Sequence, residues 1–305
     1  MVDVLVILDG ASEPLGVAAT SLERAHTPVL DRLAGEGVVS SLQTVPPGLP
    51  AGSETAIPGL LGWTPHGPVD RGAVEAAAYG IELGAGERAW RVDRRERADA
   101  AGAARMLAAR LPRHRVHHLA GHRMLVVGPV CGPTLDPDLR VWRGGLIPPR
   151  VLGQDTVVIG ARGAAIGIAR LMGARTIVPP GATGRPGSDL SAKAVAALAA
   201  IGDGAVGRVV VHVGAPDEAA HDRDADTKTA AIEAADALLL APLADVLRGG
   251  GGTLRVCPDH GCDPLTGEHD ATPVPCLDWP AAHASGGRLT ERTVAGRATR
   301  QAVAA

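Results

Sequence analysis

The 305-residue sequence has no phenylalanine, one tyrosine (Tyr79) and only two lysines, Lys193 and Lys228. So few aromatic rings leave no stacking platform for single-stranded nucleic acid, and the core must be built from Val, Leu, Ile and Ala. Four cysteines, Cys131, Cys257, Cys262 and Cys276, are too few for a disulfide-built secreted scaffold. No apolar run approaches the roughly 20 residues that span a bilayer. The opening Met1–Gly10 carries Asp3 and Asp9 and no basic residue, unlike a signal peptide. The 30 basic and 33 acidic residues leave a net charge of -3, without the clustered basic excess of a nucleic-acid footprint. These absences predict a soluble, cytoplasmic chain with neither a membrane nor a nucleic-acid partner.

What is present is a composition 46% hydrophobic, sufficient for one large domain or a domain with an insert. Short Val- and Ile-rich runs bounded by Gly, Asp or Pro recur at Val2–Leu8, Thr156–Ile159, Arg175–Val178, Val209–Val213 and Thr253–Cys257. Runs of this kind fit strands buried on both faces of a parallel sheet. Ala-rich stretches with helical periodicity lie between them, at Thr27–Gly35, Gly163–Met172, Ser191–Ala200 and Asp226–Leu247. The alternation predicts an α/β fold with a central, mostly parallel sheet flanked by helices. From Val69 to Leu152 the pattern loosens into arginine-rich sequence (Arg88, Arg91, Arg94, Arg95, Arg97, Arg105) with one clear strand, Met124–Val127. This predicts a small α+β insert over 69–152 within a core formed by 1–68 and 153–305.

Chemistry-bearing residues fall just after the strand-like runs, where ligands of such sheets sit. Asp217 and His221, four apart, can share one helical face and one cation. Asp259-His260 follows another run, and His269 lies nine residues further on. Asp9-Gly10 follows the first run; by itself it reads equally as a turn. Each cluster alone has a solvated-loop reading, but together at the exits of one sheet they favour metal binding. Ser53, after a Pro/Gly segment, reads as a helix N-cap or as a nucleophile for a phosphoryl group.

The order of these motifs resembles the archaeal type of cofactor-independent phosphoglycerate mutase. The matching stretches are Asp9-Gly10, Thr20 to Gly37, Gly52-Ser53, Leu60 to Pro65, Arg71 to Ala76, Gly80-Ile81, Gly121-His122-Arg123, Pro180 to Gly184 and Ala192-Lys193-Ala194. The strongest are His212 to Asp222 and Pro258-Asp259-His260, followed by His269 and Pro273 to Pro275. The resemblance implies an alkaline-phosphatase-like fold and two divalent cations, Mn²⁺ first and Zn²⁺, Co²⁺ or Mg²⁺ as alternatives. It implies one ion on Asp217, His221 and His269 and the other on Asp9, Ser53, Asp259 and His260. It further implies a phosphoserine at Ser53, a phosphate-contacting Lys193, and Arg71, Arg91, His122 and Arg123 around a small phosphorylated metabolite. The implied reaction interconverts 2-phosphoglycerate and 3-phosphoglycerate, with the insert as a cap that excludes water. For Arg91 a solvated face is the competing reading.

Departures from the family pattern leave a second substrate open. The chain is short, Glu54 replaces an Asp, Glu268 a Lys and Thr272 an Asp, and none of these removes a ligand. They favour a phosphatase or phosphotransferase acting on another phosphorylated or phosphonate compound. A non-catalytic metal-binding protein is the third reading, and the complete ligand set opposes it. Gly160-Ala-Arg-Gly163-Ala-Ala-Ile-Gly167 is not a dinucleotide fingerprint, because its glycine spacing differs and no acidic residue ends the next run.

Overall fold

The computed structural model describes residues 1–302 apart from 17, 95–99, 134, 136, 138 and 143. Arg95 and Arg97 of the arginine-rich stretch lie outside the described residues. Eight strands form the main sheet, in the order Thr299–Gln301, Val38–Gln43, Val274–Trp279, Thr253–Cys257, Asp3–Leu8, Arg208–Val213, Thr156–Ile159, Arg175–Ile177. Only Val274–Trp279 runs against its neighbours; every other pairing is parallel. The expected α/β fold with a mostly parallel sheet is therefore present.

Alternation along the central strands explains the layers. Val4, Val6, Leu8, Val209, Val211 and Val213 point into one apolar layer, packed against helices Pro28–Glu36 and Leu190–Gly202 and the Ala225–Gly250 stretch. Leu5, Ile7, Val158 and Val210 point into the other, under helices Ser53–Leu60, Arg71–Tyr79 and Ala164–Met172. A strand covered on both faces can carry apolar residues at every position, which is why these runs are continuous. Asp70, Asp189 and Asp224 cap their helices through the Ala73, Ala192 and Thr227 amides. Asp236 lies in a π-helical turn, and its carboxylate accepts from the Val29 and Leu30 amides at the start of another helix.

Within 69–152 the single expected strand proves to be one of four. Arg115–Ala120, Arg123–Pro129, Glu87–Arg94 and Leu139–Val141 form an antiparallel sheet in that order. Helix Ala100–Arg110 contributes Ala104 and Leu107 to one face, beside Val92, Met124 and Val126. Helix Arg71–Tyr79 contributes Ala76 to the other, beside Ala89, Leu125 and Val127. The same helix also packs on Ala164–Met172, with Val74 in the apolar layer of the main sheet. Among the described residues no helix is long and apolar enough to cross a membrane.

The approach of those two helices depends on Gly167, where a Cβ would overlap the carbonyl oxygen of Val74. The obstacle is backbone, so no rotamer change relieves it. Gly167→Ala is expected to lower unfolding free energy by about 1–3 kcal/mol, read as a reduced denaturant midpoint at unchanged slope.

Candidate active site

Three parallel strands deliver the site from their carboxyl ends. Asp9 follows Asp3–Leu8, Asp217 and His221 lie on helix Ala215–His221 directly after Arg208–Val213, and Asp259-His260 follows Thr253–Cys257. His269 comes from a two-stranded ribbon, Gly261–Asp263 with Glu268–Asp270. Gly10 turns the chain beside Asp9 at φ 58°, and a Cβ there would meet Asp217 Oδ1 at 2.5 Å. Its amide also donates to Asp259 Oδ1 at 3.1 Å. Glycine is thus required both by conformation and by the space the Asp217 carboxylate occupies.

All seven residues expected to hold cations converge here, in two groups. In the first, His269 Nε2 is 2.9 Å from His221 Nε2 and 3.3 Å from Asp217 Oδ1, and His221 Nε2 is 3.3 Å from Asp217 Oδ2. His221 Nδ1 faces the Gly267 carbonyl at 2.8 Å and His269 Nδ1 the Ala51 carbonyl at 3.0 Å. A carbonyl only accepts, so both Nδ1 atoms carry ring protons and both Nε2 atoms are turned toward Asp217 and toward one another. A cation held there would be reached by both rings and by the carboxylate. Asp217 Oδ1 is buried without a hydrogen bond, as is expected of an oxygen reserved for such an ion.

In the second group, His260 Nε2 lies 3.3 Å from Asp9 Oδ1 and 3.7 Å from Asp259 Oδ2. Its Nδ1 donates to the Gly261 carbonyl at 3.0 Å, which turns Nε2 inward toward the two carboxylates. Asp259 Oδ2 is buried without a hydrogen bond. Ser53 joins this group, with Oγ 3.2 Å from Asp9 Oδ1 and 3.4 Å from His260 Nε2. Ser53 is not the N-cap: Gly52 is, and Ser53 opens the helix with its hydroxyl unused by the backbone amides. The oxygen and imidazole donors and the two unsatisfied carboxylate oxygens fit two divalent cations.

The electrostatics follow from crowding three buried carboxylates. Burial and Asp217 push the Asp9 carboxyl up, but the His212 and His260 imidazoles hold it well below the usual carboxylate range. Asp259 is pushed up to about 6 by burial and by Asp9. Burial also opposes charge on Asp217, yet His221 and His269 keep its carboxyl well below the ordinary value.

The residues expected around substrate are distributed differently. Lys193 is fully buried and donates to the His212 carbonyl at 2.8 Å. Burial pushes its ammonium down to about 8, with Asp9 opposing. Arg71 pairs with Glu54, the residue after Ser53, at 2.9 Å. Arg123 pairs with Glu218, the neighbour of Asp217, at 2.9 Å. Arg91 is not on a solvated face: it is 3% exposed and bonded to Glu75 and Asp93. Arg71 and Arg91 both approach the ring of Trp142, at 4.4 and 5.5 Å. His122 sits half-buried at the turn before Arg123–Pro129.

Three further residues had no signal specific enough to single them out. His212 sits within its strand, with Nε2 3.3 Å from Asp9 Oδ2. Cys262, two residues after His260, brings its sulfur within 4.8 Å of the Asp217, His221 and His269 ligand atoms. Lys228, fully buried, donates to the carbonyls of Ser12 and Cys262 and pairs with Glu13.

A sheet with acidic and imidazole ligands at its strand exits is the architecture of a metal-dependent hydrolase or transferase. The chain belongs to the metalloenzyme superfamily, whose description it matches over residues 1–298. Its relatives include the 2,3-bisphosphoglycerate-independent phosphoglycerate mutase of Ignicoccus hospitalis, 28% identical over 90% of this chain and 87% of the relative. One of the enzymes so named in Archaeoglobus fulgidus is 29% identical over the same shares of the two chains. A solved Pyrococcus horikoshii protein shares the fold at TM-score 0.80 and 25% identity, covering 98% of this chain and 92% of that one. The cofactor-independent phosphoglycerate mutase of Thermoplasma acidophilum also shares it, at TM-score 0.63 and 18% identity over 98% and 96%. The chain is thus an enzyme related to the cofactor-independent phosphoglycerate mutases, as its motif order implied.

Lys193 gives a testable sign. Its value near 8 in the folded protein, against an ordinary 10.5, means that the fold disfavours the ammonium by about 3 kcal/mol. That penalty is complete below pH 8 and relieved as pH rises toward 10.5. Lys193→Met is expected to lose wild type's rise in stability between pH 8 and 10. Denaturant titrations of both proteins across that range measure it; an unchanged pH profile would contradict the assignment.

Proposed function

We propose that the protein transfers the phosphoryl group of a small phosphorylated metabolite through Ser53, interconverting 2-phosphoglycerate and 3-phosphoglycerate. The observation that carries this reading is the position of the Ser53 hydroxyl, held between Asp9 and His260 and uninvolved in capping its helix. In this proposal Asp217, His221 and His269 hold one divalent cation, and Asp9, Ser53, Asp259 and His260 the other. When bound, such cations favour the ionised hydroxyl and offset charge on the phosphoryl oxygens.

This chain's residues supply the rest. The Ser53 proton is directed at Asp9 Oδ1, so the Oγ lone pair faces the incoming phosphorus as the P–O ester bond breaks. Lys193 adds a buried positive charge beside Asp9. Glu54, the residue after the nucleophile, holds Arg71, whose remaining guanidinium donors can meet phosphate or carboxylate oxygens. Residues 69–152 act as a cap over a core of 1–68 and 153–305, keeping water from the phosphoserine while glycerate reorients.

A specific observation favours the second reading, a phosphotransferase for another phosphorylated or phosphonate compound. Arg71, Arg91 and Arg123 each already face a carboxylate, Glu54, Glu75 with Asp93, and Glu218 respectively. A substrate carboxylate would have to displace one of these partners, and Arg123–Glu218 is the most exposed of the three pairs.

Ser53→Ala is expected to abolish both mutase turnover and hydrolysis of a simple phosphoester in Mn²⁺-loaded protein. Arg123→Ala should lower phosphoglycerate isomerisation about ten- to hundredfold, and hydrolysis of a carboxylate-free phosphoester far less. Wild-type protein that hydrolyses phosphoesters but never isomerises phosphoglycerate would select the second reading. Full turnover by the Ser53 variant would remove both.

A further inference from the structure

Cys262 stands apart from the other buried thiols. Cys257 and Cys276 belong to the apolar layer with Leu5 and Ile7. Cys262 is also fully buried, yet it is a member of none of the apolar clusters. Its surroundings are a carboxylate and two imidazoles: the ligand atoms of Asp217, His221, Cys262 and His269 all lie within 4.8 Å of one another.

The backbone puts it there. In the ribbon Gly261–Asp263 with Glu268–Asp270, Cys262 is directly opposite His269. Directly opposed residues of an antiparallel pair project from the same face, so the thiol and the imidazole are aimed together. Both backbone groups of Cys262 are anchored. Its amide donates to the Ser12 carbonyl at 2.9 Å, and its carbonyl accepts from the buried Lys228 ammonium at 2.6 Å. Independently of the thiol, Asp217 Oδ1, on a residue 9% exposed, is buried in this cluster without a hydrogen bond, and the His221 and His269 Nε2 atoms converge at 2.9 Å.

We propose that Cys262 is a fourth protein ligand of the Asp217–His221–His269 centre, making it a thiolate site that prefers a zinc-type cation to Mn²⁺ or Mg²⁺. The second centre, Asp9, Asp259, His260 and Ser53, has no sulfur and is correspondingly harder. Soft thiolate selects Zn²⁺ and Co²⁺, whereas carboxylate and hydroxyl oxygen suit Mg²⁺ and Mn²⁺. On binding, the thiol proton is released to solvent and the sulfur lone pair is donated to the cation. The two centres therefore differ in their preferred ion. The inference rests on the two-cation reading of the site but not on which phosphoester is the substrate.

The test is spectroscopic and needs no substrate. Full-length protein, stripped with chelator, is titrated with Co²⁺; a thiolate-to-cobalt charge-transfer band in the near ultraviolet is expected. Cys262→Ser should lose the band and at least about tenfold of the Zn²⁺-over-Mn²⁺ preference measured by equilibrium dialysis. Cys131→Ser, at an exposed thiol, should keep both. X-ray absorption of Zn²⁺-loaded wild type supplies an arm that survives misfolding of the variant, since a sulfur shell near ~2.3 Å is expected beside the nitrogen and oxygen shell. Bound metal with only nitrogen and oxygen neighbours and no charge-transfer band would overturn the inference while leaving the two-cation reading intact. Wild type that binds no divalent ion would overturn both.

Discussion

Asp9, Asp217 and Asp259 are all buried at the exits of three adjacent strands, and the repulsion among them is the constraint around which the molecule is arranged. Imidazole and ammonium groups surround them. His212 and His260 face Asp9, His221 and His269 face Asp217, and Lys193 lies beneath, held by a strand carbonyl. A second buried lysine, Lys228, binds the loops that follow two of those strands, through Ser12, Glu13 and Cys262. Both lysines of this arginine-rich chain are therefore interior. A compact ammonium with three donors fits such a pocket better than a planar guanidinium.

Much of the fold was legible because burial on both faces leaves a continuous apolar run. Thr156–Ile159 and Thr253–Cys257 occupy the bounds their runs gave. Strands outside that condition were silent. Val274–Trp279 contains Pro275 and reads as loop, yet pairs with Val38–Gln43 across the sheet. Thr299–Gln301 is short, exposed and polar. In Glu87–Arg94 the inward positions carry Arg91 and Asp93, which pair with each other, and Arg91 also pairs with Glu75 from another element. A pattern that treats charge as outward-facing cannot find such a strand, because the compensation is visible only in three dimensions.

The site was legible at a similar level and for a related reason. Asp9, Ser53, Asp217, His221, Asp259, His260 and His269 stand out because each follows a strand or a turn segment in a recognisable motif. Cys262 and His212 lie inside strands, where a Cys or His ordinarily signifies packing. What gives them a chemical setting is the cross-strand neighbour His269 and the adjacent strand's Asp9. Glu54 stands out in the sequence only as a departure from the family pattern; its ion pair with Arg71 ties helix Ser53–Leu60 to helix Arg71–Tyr79, whose Arg71 lies over the Trp142 ring.

The parallel topology also sets an order in time. The Gly10 amide and the Asp259 carboxylate it contacts are 249 positions apart, and strands Arg208–Val213 and Thr253–Cys257 flank Asp3–Leu8 on its two sides. A ribosome making this chain has to release most of it before the Asp9–Asp259–His260 and Asp217–His221–His269 groups can assemble. Until then the early strand is a bare apolar ribbon ending in an aspartate, with neither partner to zip against. A product that stops short of residue 259 therefore has an early strand without its Thr253–Cys257 neighbour and a Gly10 amide without its carboxylate partner.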